Sequence, residues 1–409
     1  MPLRFLLEPL IQIGTLRIID ASGRSQTFGG APGPRVTLRL HDRRTAFKVF
    51  LNPGLYTGEA YVEGNLTIED GTVRDLIHLY ALNLKRTPPR LLDHVYRAFR
   101  QTFRACQQYN PISLAQRHIA HHYDLSGALY DLFLDSDRQY SCAYFTGENQ
   151  DLETAQKNKM RHIAAKIRIE PGMRVLDIGS GWGGLALYLA QTCGADVTGI
   201  TLSKEQHRVA SKRAMKLGLE NRVRFLLKDY REEDGSYDRI VSVGMFEHVG
   251  ANYYKAFFTK VEGLLLEDGI ALLHSIGRME PPGATNPWIR KYIFPGGYSP
   301  ALSEVVTAVE KTGLWITDVE ILRLHYAETL KAWYERFQAN RVRIAKIYDE
   351  RFCRMWEFYL AGSEAAFRHQ GHMVFQMQLA RRQDAVPLTR DYITDWEHAP
   401  ANVPQSAVG

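Results

Sequence analysis

From Gly172 onward the chain alternates short apolar runs with helical stretches. The runs read MRVLDIG, ADVTGITL, RVRFLLKD, YDRIVSVGM, GIALLHSI and WITDVEILRL, with a short later piece. Strands that are apolar nearly throughout are buried on both faces, and the helices between them provide the crossovers that parallel neighbours need. The alternation predicts an α/β fold, a doubly wound Rossmann-like sheet with helical additions.

A length of 409 residues exceeds one ordinary domain and points to two, or three. Residues 1–83 read as a small N-terminal α+β domain. GTLRIIDASGRSQTF and PRVTLRLHD alternate apolar and polar residues, and a helix starts near Asp70-Gly71-Thr72. Pro88-Pro89 marks a break inside a linker at 84–111. The main domain spans 112–390. Its early part is helical with interruptions and carries Leu125, Leu129, Leu132 and Phe133 at helical spacing. From Leu330 to about Arg382 the reading is mostly helical and rich in aromatics, and residues 391–409 read as a frayed tail.

Hydrophobic content of 45% and charged content of 23% fit a globular protein. The sequence holds no apolar run of membrane-spanning length and no cleavable leader, so the expected location is the cytoplasm. Cys106, Cys142, Cys193 and Cys353 are scattered, which predicts reduced thiols and no metal site. Of the net charge of +6, the first 120 residues hold 16 Lys+Arg against 9 Asp+Glu. Lys85, Arg86, Arg90, Arg97, Arg100 and Arg104 face one acid, Asp93, and are interleaved with Leu91, Leu92, Val95, Tyr96 and Phe103. Such a basic, partly apolar segment suits an anionic membrane surface; a solvated interdomain helix explains it equally well. Without a nucleic-acid motif, no nucleic-acid partner is expected.

VLDIGSGWGG places an acid, Asp177, at a strand tip ahead of Gly179, Gly181 and Gly183. Glycines let a backbone turn sharply and approach a ligand. Dinucleotide sites share that feature, but an acid at this point suits an amine-bearing or cationic ligand better than a pyrophosphate. The D-x-G-x-G turn resembles that of S-adenosylmethionine-dependent methyltransferases. The second strand ends in GITLSKEQ, with Thr201, Ser203 and Gln206 where the general pattern has an acid.

Four stretches together resemble one family, the cyclopropane-fatty-acyl-phospholipid synthases and their mycolic-acid relatives. They are HHYDLSGALYDLFLDSDRQYSCAYF, VLDIGSGWGGLALYLA with GITLSKEQ, GMFEHVGANYY, and IFPGGYSP followed by LRLHYAETLKAWYERF. The similarity covers about 110–382, and GEAYVEGNL is similar to the accessory domain of the phospholipid-acting branch. The resemblance implies transfer of a methylene from S-adenosylmethionine across a cis double bond of a phospholipid acyl chain. An alkene carbon attacks the sulfonium methyl and leaves a carbocation, which calls for a dry aromatic surround and a small base.

In the family that base is a bound bicarbonate ion. Similarity implies Cys142, Glu247, His274, Ile276 and Tyr326 as its holders, with Cys142 and Ile276 acting through backbone groups. Glu247 would accept a hydrogen bond from the ion, since two anions in a low-dielectric pocket repel. Taken singly, His274 and Tyr326 read as core residues, Cys142 as a buried thiol, and His248 as a residue orienting its neighbours. Tyr123, Tyr140, Ser141, Trp182 and Tyr230 join the glycines, Asp177, Thr201, Ser203 and Gln206 as donor-binding candidates, with Asp229 as the adenine-side acid. The implied partners are an unsaturated membrane phospholipid and the anionic inner membrane surface, with peripheral association and, by the same likeness, a homodimer. Two rivals stand beside this reading. One is a lipid C-methyltransferase of the same family giving a methyl-branched or methylene product; the other is a non-catalytic lipid-binding protein that has kept the fold.

Overall fold

The computed structural model describes residues 3–84, 86 and 127–399. The basic stretch of the expected linker, with Arg97, Arg100 and Arg104, lies outside the described residues, as do Tyr123 and residues 400–409. The chain divides into two compact units: Met1–Arg104 with Ala284–Pro295 and Ala327–His372, and Ala105–Gly283 with Gly296–Tyr326 and Met373–Gly409. The first unit thus takes in two later segments besides the small N-terminal α+β part.

In the first unit, β1 (Ile13–Ile19) pairs antiparallel with β2 (Ser25–Gly29) and parallel with β3 (Ala31–Leu40), which pairs antiparallel with β4 (Leu66–Asp70). The period-two pattern holds: Leu16 and Ile18 are buried while Arg17 between them is exposed. These strands bury Val36, Leu38 and Leu66 in one cluster with Ala46 and Val49 of the helix Arg43–Leu51 and Leu76 and Leu79 of the helix Val73–Leu84. Asp42 caps the former, accepting from the Thr45 amide at 2.7 Å, and Thr72 and Asp75 exchange hydrogen bonds at the start of the latter. The long helix Glu350–His369 belongs to the same unit. Its buried Glu364 takes the Arg74 guanidinium fork at 2.6 and 2.8 Å, and its Glu357 accepts from the Tyr61 hydroxyl at 2.8 Å. Among the aromatics of the late segments, Trp333, Tyr334, Phe337, Trp356 and Tyr359 are buried, and Trp288 meets Phe358 edge-on at 4.7 Å.

The second unit contains a seven-stranded sheet. Its members are β5 (Arg174–Ile178), β6 (Asp196–Thr201), β7 (Val223–Leu227), β8 (Tyr237–Val243), β9 (Leu265–Arg278), β10 (Trp315–Ile321) and β11 (His372–Ala380). They lie in the order β10-β11-β9-β8-β5-β6-β7. The run from β9 to β7 is parallel, and β10 and β11 are antiparallel. The expected α/β fold with a parallel-rich sheet is therefore present. Order reverses between β5 and β8, so the carboxyl ends of those strands open the crevice where such sheets take ligands.

Two readings are corrected. Residues 372–380 are a strand inside the stretch read as helix. Eight of the nine are buried, so β11 shows no alternation that could separate it from a buried helix. Part of the supposed frayed tail is ordered: the helix Asp391–His398 buries Ile393, and Glu397 bonds the His162 ring at 2.6 Å. Among the described residues, the early repeat at Leu129, Leu132 and Phe133 yields the short helix Gly127–Tyr130 before the chain turns.

Candidate active site

The β5 tip and its turn build one wall of a cavity. Gly179, Gly181 and Gly183 all have positive φ, between 55° and 85°. At Gly179 an added Cβ would stand 2.7 Å from the Met245 side chain, and at Gly183 2.7 Å from Phe225, so this turn requires glycine. Asp177, Gly179, Gly181 and Trp182 line the cavity, whereas Gly183 closes the turn behind it. From β6 come Thr201 and, in the following helix, Gln206, which bond side chain to side chain at 2.9 Å. Ser203 does not line the cavity; its hydroxyl caps the helix Lys204–Lys216, accepting from the Gln206 amide at 3.2 Å. After β7, Asp229 and Tyr230 line it, but both Asp229 oxygens are held by the Arg231 guanidinium at 2.8 and 2.7 Å. The irregular segment before Cys142 contributes Tyr140 and Ser141.

Asp177 is the unusual group. Its side chain is buried and Oδ2 has no hydrogen-bond partner. Burial pushes its carboxyl up to about 7, against the opposing field of Lys159. A buried acceptor without a partner, beside a cavity, is fitted to receive a ligand's ammonium group. The Thr201 hydroxyl and the Gln206 side-chain amide put polar groups on the cavity wall at the end of the second strand, where this sequence has no acid. An aromatic cluster adjoins: Tyr130 packs within 5.9 Å of Phe133, Tyr140 and Trp182.

At the end of β8 the short turn Phe246–His248 carries Glu247. Its Oε1 accepts from the Ile276 amide at 2.6 Å, while Oε2 is buried without a partner. Burial raises this carboxyl to about 7, opposed by the Ile276 amide and the Ser275 hydroxyl. His274 lies on β9 and its carbonyl accepts from the Gly244 amide at 2.9 Å, which ties it to the segment before Glu247. Its Nδ1 meets the Gln376 amide nitrogen at 3.2 Å, and burial drives its pKa well below the usual imidazole value. With the Gln376 amide donating to Nδ1, a neutral ring carries its proton on Nε2.

Cys142 is buried next to Ser141, and its thiol donates to the Ala143 carbonyl at 3.3 Å. Tyr326 is buried in the first turn of the helix His325–Ala339. Its neighbour His325 accepts from the Phe145 amide at 3.0 Å and stacks on Tyr144 at 4.9 Å, so the Tyr326 and Cys142 segments are joined. Glu247 and Ile276 are thus in direct contact, His274 is tied in through Gly244, and Cys142 and Tyr326 are linked through their flanks. The spare oxygen of Glu247 and the Nε2–H of neutral His274 form an acceptor and a donor. An acceptor and a donor of this kind are the groups that would hold a small oxyanion carrying one O–H.

Sequence reasoning missed several lining residues, among them Gln139, Ser180, Lys228 and Met245, and gave His248, which also lines the cavity, only an orienting role. It also missed the fully buried Lys159 and Gln156 on the helix Leu152–Lys166. Their polar side chains follow helical spacing on its inner face, a signal visible only once that face is known to be interior.

Residues 112–377 match the family described as mycolic acid cyclopropane synthetase. Cyclopropane-fatty-acyl-phospholipid synthase of Escherichia coli is 44% identical over 260 residues, covering 64% of this chain and 66% of that protein, just under two thirds of its length. Tuberculostearic acid methyltransferase UfaA1 of Mycobacterium tuberculosis is 38% identical over 381 residues, covering 90% of this chain and 88% of that protein. Among solved structures, mycolic acid cyclopropane synthase CmaA1 complexed with SAH and CTAB aligns with a TM-score of 0.62 at 33% identity, covering 66% of this chain and 99% of that one.

Proposed function

The chain belongs to the mycolic acid cyclopropane synthetase family and is an S-adenosylmethionine-dependent methyltransferase, and from that premise we propose that it is a cyclopropane-fatty-acyl-phospholipid synthase. The observation that carries this reading is the pairing of a donor cavity with Glu247 and His274 beside it, one offering a spare acceptor and the other a spare donor. The donor's ammonium goes to Asp177 Oδ2, and its ribose to Thr201 and Gln206. An alkene carbon of the acyl chain attacks the sulfonium methyl; the carbon–sulfur bond breaks and S-adenosylhomocysteine leaves. The resulting cation is sheltered from water by Tyr140 and Trp182 of the cavity wall, backed by Tyr130, since aromatic rings attract positive charge without acting as nucleophiles.

Closing the ring expels a proton from the new methyl group. Bicarbonate, when bound, supplies the base for it. Glu247 would accept the ion's O–H, and His274 and the Tyr326 hydroxyl would donate to it. Cys142 contributes its backbone, and the Ile276 amide acts through Glu247, which it holds in place. Turnover should fall in carbon dioxide-depleted buffer and return when bicarbonate is added; turnover indifferent to bicarbonate refutes this base.

The proposed substrate is an unsaturated acyl chain of a membrane phospholipid, met at the inner membrane surface. Support comes from the helix Arg43–Leu51. Arg43, Arg44 and Lys48 are exposed on it together with Phe47 (54%) and Leu51 (60%), and the helix holds no acid. Basic residues beside exposed apolar ones suit an anionic bilayer. Among the described residues no helix is long and apolar enough to cross a membrane. A second reading, loss of the proton from another carbon to give a methyl-branched or methylene product, is favoured by the similarity to the tuberculostearic acid methyltransferase, which extends over 90% of this chain.

A further inference from the structure

Three residues of the cavity wall, Gln139, Tyr140 and Ser141, lie in a stretch without regular structure. They are held from behind by the helix Leu152–Lys166. The Gln156 amide donates to two backbone carbonyls, those of Gln139 at 3.2 Å and Ser141 at 3.0 Å. One turn on, the Lys159 ammonium donates to two side chains, the Gln139 amide oxygen and the Ser141 hydroxyl, the latter at 2.8 Å. Both helix residues are wholly buried.

Burying an ammonium is costly, and Gln156 alone would anchor the backbone. A lysine adds an orientation. An ammonium can only donate, so the Ser141 oxygen must accept, and its own proton is left to donate elsewhere. The Gln139 amide is fixed in the same sense: its oxygen is taken, and its NH2 remains. Both residues line the cavity. Asp177, an acceptor, lines it too. The titratable groups whose fields reach Lys159 include Asp135, Cys142, Asp177, Asp137 and His274, and burial lowers its pKa to about 8. Two donors and one carboxylate acceptor match a zwitterionic amino-acid group.

We infer that Lys159 is a positioning residue for the methyl donor: its ammonium makes Gln139 and Ser141 present hydrogen-bond donors to the carboxylate of the donor's methionine end, while Asp177 takes the amine. This fixes the sulfonium relative to Cys142, the next residue along. The inference rests on the assignment of this cavity to S-adenosylmethionine.

The test is calorimetric titration of S-adenosylmethionine into the full-length enzyme and its Lys159→Met, Lys159→Arg, Ser141→Ala and Lys159→Met/Ser141→Ala variants, with the steady-state constants for donor and lipid measured alongside. Loss of a charge-assisted contact predicts that Lys159→Met, still folded by thermal melt, binds the donor about tenfold more weakly or worse. Its KM for the donor rises while that for the lipid does not. Lys159→Arg recovers most of the loss. The double variant is no weaker than Lys159→Met, because Ser141 acts through Lys159. A smaller loss, losses that multiply, or a chain that folds with neither Met nor Arg overturns the inference. A wild-type enzyme that binds no S-adenosylmethionine refutes the cavity assignment instead.

Discussion

Two buried carboxylates define the chemistry at the scale of single residues. Asp177 and Glu247 each keep one oxygen without a partner, and burial raises both to about 7. Each receives a different group in the proposed mechanism, so their substitutions should separate. Glu247→Ala, which removes the acceptor proposed to hold the bicarbonate, leaves S-adenosylmethionine affinity intact by calorimetry and lowers turnover by ~10²–10⁴, the span of an acid–base function lost with the ion. Asp177→Asn weakens donor binding at neutral pH, and the wild-type affinity itself declines as pH falls through about 7 and the carboxyl takes up a proton. Stability follows the opposite sense. A carboxyl whose folded pKa is raised from 3.8 to about 7 stabilises the fold below the lower value and loses that contribution as pH rises through the upper one. Without donor, the Tm of Asp177→Asn relative to wild type should therefore climb between pH 5 and 8, by on the order of a few degrees. A difference that stays flat across that range contradicts the assignment.

Elements set where these residues stand, and they also mark the limit of what the sequence discloses. The parallel strands were legible because β5, β6 and β8 are apolar runs bounded by turns and helices. The turn after Asp177 was legible because its glycines are required by positive φ and close approach. Gly183→Ala should thus destabilise the fold by ~1 kcal/mol or more, read as a lower urea midpoint, since its Cβ would press on Phe225. The strand β11 was not legible: burial on both faces erases the period that distinguishes strand from helix. Lys159 was hidden for a related reason, since a charged residue in a polar-looking helix reads as solvent-facing until its helix is placed in the interior. Ser203 serves as a helix cap, and the sequence does not separate that role from a ligand contact because both use the same residue type. The helix Arg43–Leu51 carries its own prediction. Replacing Arg43, Arg44 and Lys48 by Ala should weaken sedimentation with anionic vesicles by ~10²-fold at low salt, and raising the salt should shrink the difference. Equal binding of both proteins removes this face from the membrane-docking proposal.

For the whole molecule, the family is established and the reaction is the claim at stake. Two relatives pull toward different ends of one cationic manifold: the Escherichia coli synthase is more similar over a shorter span, and the tuberculostearic acid methyltransferase is less similar over nearly the whole chain. The choice between them depends on where the cation loses its proton, and hence on the placement of the base by Glu247 and His274. The most direct measurement is of the product. The purified enzyme is supplied with S-adenosylmethionine, bicarbonate and vesicles of cis-monounsaturated anionic phospholipid, and the acyl chains are examined by mass spectrometry and proton NMR. A gain of one CH2 with shielded ring protons and loss of the alkene signal is the result predicted here. The same gain with an alkene retained, or a chain left unmodified while S-adenosylmethionine binds, would contradict it.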